Sequence, residues 1–358
     1  AWAQAVLGRG RGLVTTFGDR RAVDRGDVDL ASGECVALLG PNGAGKTTVF
    51  NQLAGTRART GNYPGVTVDR RSAKLRFEGR EVELVDLPGT YSLTARSPEE
   101  RIAVDAIQSQ SPAACVVVVD AAAPARGLYL AHQIAETGTP IVLALNMMDE
   151  ARTAGTEIDE AVLGKRFNAP VVAVVASRGE GLAELRQAVL RAMDAPRRAM
   201  DLILDAPTTR DVDEVAEVVE LPGNPRAWAV WALLSVGADE LELAPELEQA
   251  VTRVRARAVE EGRDLDGLLV AARYAVVDAV VAEAVRSGAR HRRLSDRFDA
   301  VLVHPILGLL GFALVMFVVF EALCTGAWPA IGLIDSGVGW PQELVQGAMA
   351  ARPRRALR

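Results

Sequence analysis

Cys35-Val36-Ala37-Leu38-Leu39-Gly40-Pro41-Asn42-Gly43-Ala44-Gly45-Lys46-Thr47 runs an apolar segment straight into a glycine-rich turn. The turn fits Gly-x-x-x-x-Gly-Lys-Thr, the phosphate-binding loop, with a short buried strand expected before it and a helix after it. Glycines there let successive backbone N–H groups point inward to form a concave anion site, which the N-terminus of the next helix reinforces. Lys46 would reach the β- and γ-phosphates and the Thr47 hydroxyl would bind Mg²⁺, with Gly40, Asn42, Gly43, Gly45 and Thr48 lining the rest of the loop. A glycine-rich turn without a ligand is the competing reading of so short a pattern. The flanking apolar run favours a nucleoside triphosphate.

Outward from the loop, residues 34–194 alternate apolar runs with amphipathic stretches, which is how a doubly wound, mostly parallel sheet reads. Strands are expected at 35–39, at 66–69 or 74–77, and at 81–85, 115–119, 141–145 and 171–175. Several are rich in Val, as strands buried on both faces should be. Helices are expected at 46–54, 98–109, 126–137 and 181–194. In such sheets the functional loops follow the carboxyl ends of the strands.

The polar motifs fall there in succession. Asp86-Leu87-Pro88-Gly89 follows the 81–85 run. Asp86 can hold Mg²⁺ through water, and the Gly89 N–H can approach a γ-phosphate because no side chain intervenes. Asn146-Met147-Met148-Asp149 follows 141–145. The Asp149 carboxylate can accept two hydrogen bonds from the guanine edge, which adenine cannot offer, while Asn146 braces the loop beside Met147. Asn-x-x-Asp alone would be an ordinary turn; the ordered series of three motifs, each after a strand, is what points to a GTPase. Ala176-Ser177-Arg178-Gly179-Glu180-Gly181 reads equally as a strand-to-helix connection or as a loop in which Ala176 and Ser177 line the base.

The chain has 358 residues, enough for two or three domains with a buried core. A formal net charge of −6 excludes a nucleic-acid binder acting through bulk basicity. Cys35, Cys115 and Cys324 are far apart with no Cys-x-x-Cys, so neither a disulfide scaffold nor a zinc site is expected, and a reducing compartment fits.

Residues 1–33 form a Gly- and Arg-rich N-terminal extension. From Val28-Asp29-Leu30-Ala31-Ser32-Gly33-Glu34-Cys35 through Thr48, the opening resembles the start of an ABC-transporter ATPase. That likeness implies a strand pair before the phosphate loop and an aromatic, Phe17, stacked on adenine. It ends near Thr48: no Ser-Gly-Gly-Gln follows, and no apolar strand ends in Asp-Glu.

Longer and more specific segments point elsewhere. Phe50-Asn51-Gln52-Leu53-Ala54-Gly55, Gly61-Asn62-Tyr63-Pro64-Gly65-Val66-Thr67-Val68, Asp86-Leu87-Pro88-Gly89-Thr90-Tyr91-Ser92-Leu93 and Ala144-Leu145-Asn146-Met147-Met148-Asp149-Glu150-Ala151 resemble the ferrous iron transport protein B (FeoB) family. The resemblance runs from about residue 47 into the 330s. It implies that Thr67 is the switch I threonine completing Mg²⁺ coordination beside Thr47 and Asp86, and that Asp86 to Leu93 form switch II. A plain strand threonine is the other reading of Thr67. Lys46, Thr67 and Gly89 would then carry the catalytic contacts.

Two positions depart from expectation. Where Ras-like GTPases orient water with a glutamine, this chain has Thr90, too short for that role; the FeoB family shares this lack, and the resemblance implies slow turnover. The family's loop places an asparagine three residues before the lysine, where it helps bind an activating K⁺. Here that position is Gly43, with Asn42 one place earlier, and Gly43 has no side-chain oxygen to offer.

Residues 195–210 read as a linker bounded by Ala195-Pro196 and Ala206-Pro207. Residues 211–294 have helical periodicity in Leu241, Leu243, Leu247, Val251 and Val254, and again from Leu265 to Val285, suggesting a small antiparallel bundle. Trp228 and Trp231, three apart, read as its core. The resemblance implies a domain that slows nucleotide release. A transmembrane helix is expected over 301–324, preceded by Arg286, Arg290, Arg292, Arg293 and Arg297, which would stay cytoplasmic; a buried core helix is the alternative. Glu321 and Cys324 would share one helix face, either as metal-capable groups or as an interfacial carboxylate and a small apolar filler. The tail, 325–358, ends in a basic run that reads as lipid-binding or as an artificial end.

The expectation is therefore an α/β P-loop GTPase followed by a small all-α bundle and one membrane helix. It would bind GTP/GDP and Mg²⁺, without K⁺ activation. The resemblance implies the regulatory portion of a ferrous-iron transporter, cut off before most of the permeation domain. It would sit at the bacterial inner membrane with small cytosolic accessory proteins and in homo-oligomers, and would bind no nucleic acid. A soluble GTPase of ribosome-assembly type and an ABC-type ATPase subunit are the alternatives.

Overall fold

A computed structural model describes residues 10–17, 20–28, 35–55, 58–62, 69–94, 97–235, 243–287 and 302–323. The chain divides into two compact units, 1–290 and 291–358.

The first unit opens with β1 (Gly10–Phe17) antiparallel to β2 (Arg20–Val28), closing at Phe17 opposite Arg20. This is the strand pair expected before the phosphate loop; the Phe17 side chain lies outside the described residues. Next come β3 (Cys35–Leu39), α1 (Lys46–Ala54), β4 (Arg59–Asn62), β5 (Asp69–Phe77) and β6 (Arg80–Asp86). α2 (Pro98–Gln110), β7 (Ala114–Asp120), α3 (Pro124–Glu136) and β8 (Ile141–Asn146) follow. α4 (Met148–Thr153), β9 (Thr156–Ile158), α5 (Glu160–Phe167), β10 (Val171–Ala173) and α6 (Leu182–Met193) complete the layer.

Seven of these strands make one sheet in the order β10-β8-β7-β3-β6-β5-β4. The pairs from β10 to β6 are parallel. Buried helices cover both faces, which explains the continuous apolar runs: Val116, Val117, Val118 and Val119 in the middle of β7 are all 0% exposed. The other edge is antiparallel, β4 with β5 and β5 with β6. Between β5 and β6 the turn residues Glu78 and Gly79 have φ of 48° and 89°, the double left-handed turn whose twist matches a hairpin. The sequence pattern left 66–69 and 74–77 as alternatives for one strand. The structure runs a single strand over Asp69–Phe77, with 66–68 outside the described residues.

Local chemistry sets several boundaries. α3 begins at Pro124, two residues before the expected 126, because proline suits the first helical turn, whose N–H groups lack partners. β10 stops at Ala173 rather than 175, since Val175 bridges to Glu180 instead of continuing the ladder. α5 falls in a stretch given no element by periodicity; Asp159 caps it by accepting from the Ala161 and Val162 N–H groups.

Four helices follow: α7 (Ala206–Ala216), α8 (Pro225–Ser235), α9 (Pro245–Glu260) and α10 (Leu265–Ala284). α7 starts inside the stretch read as linker because Asp205 caps it, accepting from Thr208 N–H at 2.9 Å. Trp228 and Trp231 are buried edge-to-face at 5.9 Å, and Leu247, Val251 and Val254 are buried, while Leu268 faces out. The helices share one apolar core with a face of the sheet. Across that contact Arg273 of α10 donates to Glu136 of α3 at 2.6–3.2 Å, both fully enclosed, and Tyr129 stacks on Tyr274 at 4.6 Å. A further strand, β11 (Val285–Ser287), pairs antiparallel with β9.

In the second unit the structure describes a helix over 307–323. His304 starts it, its Nδ1 accepting from the Ile306 and Leu307 N–H groups at 3.2 Å, with Pro305 between. Its apolar side chains are exposed all round, from Leu309 at 68% to Phe320 at 65%. Among the described residues no helix is long and apolar enough to cross a membrane. The span expected over 301–324 is described only in part, and Cys324 and the tail over 325–358 lie outside the described residues.

Candidate nucleotide-binding site

The phosphate loop lies between β3 and α1, at the carboxyl edge of the sheet. Ala44 N–H donates to Pro41 O at 3.2 Å and Val49 N–H to Gly45 O at 3.0 Å, so the loop curls directly into the helix. Gly45 holds φ of +79°, and a Cβ there would collide with the Asn146 side-chain amide; glycine is required by both conformation and space. Gly43 is also left-handed, at +88°, but has nothing around it.

Lys46 is buried and its ammonium pairs with the buried carboxylate of Asp86, at the end of β6. Thr47 and Thr48 are exposed on the first turn of α1. Among the described residues no cluster of His, Cys, Asp or Glu could hold a metal ion alone. A phosphate-bound Mg²⁺ needs no such cluster, because it keeps waters and takes phosphate oxygens alongside one or two protein ligands. The Thr47 hydroxyl and the Asp86 carboxylate fit that donor set; Thr67 lies outside the described residues.

The segment after Asp86 crosses to the loop. Leu87 N–H donates to Leu38 O at 3.1 Å and Thr90 N–H to Gly40 O at 3.3 Å. A Cβ on Gly89 would collide with the Asn42 carboxamide, so the two strands of the site touch there through the absence of a side chain. Thr90 is buried and its hydroxyl donates to Ser92 O at 2.6 Å. Glu100 accepts from the Ser92 and Thr94 hydroxyls at 2.7 and 3.0 Å. Beyond them Leu93 N–H donates to Gln133 of α3 at 2.7 Å, and Ser235 of α8 donates to Thr94 O at 2.9 Å. Neither Gln133 nor Ser235 carries any signal in the sequence that would mark this contact.

On the base side Asn146 is buried and joins two loops. Its Nδ2 donates to Ala44 O at 2.9 Å, and its Oδ1 accepts from Ala176 N–H at 3.0 Å. Met147 takes φ of +61° in the turn into α4. That turn places Asp149 on the first turn of α4, where its carboxylate pairs with Arg178 at 3.2 Å. Ser177 is exposed beside it. The structure thus brings every described candidate residue to one edge of the sheet.

A family model described as ferrous iron transport protein B matches residues 34–189. The Fe(2+) transporter FeoB of Salmonella typhimurium is 35% identical over 294 residues, covering 80% of this chain and 38% of its own length. An Fe(2+) transport protein A/Fe(2+) transporter FeoB fusion protein of Porphyromonas gingivalis is 30% identical over 334 residues, covering 88% and 40% respectively. The chain thus spans about two fifths of the length of the curated relatives it matches. A GDP-bound mutant of the S. thermophilus FeoB G-domain superposes with a TM-score of 0.61 at 30% identity, over 70% of this chain and 99% of that one. Fold and site together define a P-loop domain of GTPase type on a mixed α/β sheet. The chain belongs to the ferrous iron transport protein B (FeoB) family.

Proposed function

We propose that this chain binds and slowly hydrolyses GTP as the regulatory, cytoplasmic part of a ferrous-iron transporter in a bacterial inner membrane. The observation that carries the nucleotide reading is Asn146, whose one carboxamide ties the phosphate loop to the Ala176 loop and leaves Asp149 on the next turn. A carboxylate there reads the guanine N1–H and exocyclic amine.

Lys46 would turn from Asp86 to the β- and γ-phosphates, as the loop N–H groups and the α1 N-terminus take the remaining charge. Mg²⁺, held by Thr47 and Asp86 with Thr67, would neutralise charge on the phosphates. The Gly89 N–H would meet the γ-phosphate. Thr90 cannot orient water, because its hydroxyl is buried and bonded to Ser92 O. That supports a slow intrinsic rate. Gly43 offers no side-chain oxygen to K⁺, so hydrolysis would proceed without potassium activation.

The exposed apolar helix over 307–323 supports attachment to a lipid bilayer. The fused relative from P. gingivalis supports a small iron-transport accessory protein as a partner.

Competition binding among GTP, GDP and ATP tests the reading. Guanine preference of the parent chain, lost in Asp149→Ala by at least about a hundredfold, is expected. ATP preference would replace this reading with the ABC-type one.

A further inference from the structure

We infer that Asn42 is a catalytic residue of this site: its carboxamide orients the attacking water against the γ-phosphate, the task that Thr90 is placed too deep to perform. This rests on the GTPase reading above. A Cβ built on Gly89 would collide with Asn42 Oδ1 and lie 2.8 Å from its Cγ, so the carboxamide lies over the face of Gly89 that a side chain would otherwise take. Gly89 belongs to the segment whose N–H meets the γ-phosphate, and Asn42 belongs to the loop that cradles it. A group spanning those two segments borders the side of the γ-phosphate away from the leaving diphosphate, where an in-line water must stand.

Among the described residues, the neighbouring side chains do not compete for that position. The Thr90 hydroxyl is 2% exposed as a residue and committed to Ser92 O, Gly43 has no side chain, and the Tyr91 ring lies under the Arg126 guanidinium at 5.9 Å. Asn42 itself is exposed, as a group that must meet substrate has to be. A carboxamide offers both functions needed: Oδ1 accepts from a water O–H and Nδ2 donates to a γ-phosphate oxygen. In the step, the water oxygen forms a bond to the γ-phosphorus while the bond from that phosphorus to the β–γ bridging oxygen breaks. The electron pair leaves on GDP, one water proton passes to a γ-phosphate oxygen, and inorganic phosphate results.

Single-turnover GTP hydrolysis and fluorescent GTP and GDP titrations on the full chain with Mg²⁺ test this. Asn42→Ala should slow hydrolysis at least about fivefold while GTP affinity stays within about threefold, since a water-positioning group acts in the transition state. The isosteric Asn42→Asp should weaken GTP relative to GDP by about tenfold or more, because its charge would face the γ-phosphate. A smaller fall in Asn42→Ala, or an acceleration, overturns the inference, and so does an unchanged GTP-to-GDP ratio in Asn42→Asp. A parent chain that hydrolyses GTP beside an indifferent Asn42→Ala refutes this inference alone. A parent that fails to bind guanine nucleotide refutes the GTPase reading as well.

Discussion

Asn146 and Gly45 show how little freedom a single residue has at this site. The Asn146 amide occupies the space where a Gly45 side chain would stand, and its two ends serve two different loops. Gly45→Ala meets both that amide and a left-handed backbone, the backbone alone costing about 1–2 kcal/mol. Nucleotide affinity should fall at least about tenfold, as measured by fluorescent-GTP titration. Gly43 is the contrasting case, left-handed but surrounded by open space. Its lack of a side-chain oxygen predicts that hydrolysis rates in K⁺ and Na⁺ agree within about twofold; many-fold stimulation by K⁺ would refute this. Asp149 is salt-bridged to Arg178, a pair in which the arginine is 61% exposed. Exposed pairs contribute little to stability, so the effect of Arg178 should be looked for in nucleotide binding.

At the scale of elements, α3 and α10 are locked by a buried ion pair. Burial alone would raise the Glu136 carboxyl, but the Arg273 guanidinium and the His132 beside it outweigh this and hold it below the ordinary 4.5. A carboxyl depressed in the folded state contributes stability above the unfolded value and loses it as pH falls through the folded one. Thermal stability should therefore drop on acidification below about pH 4.5, and Glu136→Gln should flatten that acid limb. Glu136→Ala, which strands Arg273 without its partner, should cost about 3–5 kcal/mol in denaturant unfolding. The pair joins the sheet to the helices, one of which also reaches Thr94, just past the Asp86–Leu93 segment, through Ser235. Asn146, Lys46 and Asp149 could be picked out as candidates from the ordered series of short motifs, each after an apolar strand. Gln133 and Ser235 could not, because a helix periodicity says which face is buried and not which distant carbonyl or N–H it meets. The hairpin of β5 and β6 was hidden for a related reason: Glu78-Gly79 is a less common turn pair than Asn-Gly, and only the pairing reveals it.

At the scale of the whole molecule, the exposed apolar helix over 307–323 predicts lipid association of the full chain. Flotation with vesicles should carry the chain to the lipid fraction, and removal of residues 302–358 should leave it behind; equal behaviour of both would refute lipid attachment. The order of short motifs after apolar strands carried the reading of a P-loop fold and of the parallel part of the sheet, because strand, glycine loop and helix are contiguous in the chain. Contacts between residues far apart were decided only by the tertiary structure. Asn42 over Gly89, Ser235 on Thr94 and Arg273 on Glu136 arise from how loops and helices pack at the edge and on the face of the sheet. Spacing along a chain specifies which residues share a turn or a face. Which of those faces meet, and with what hydrogen-bond partners, depends on packing that no local pattern encodes.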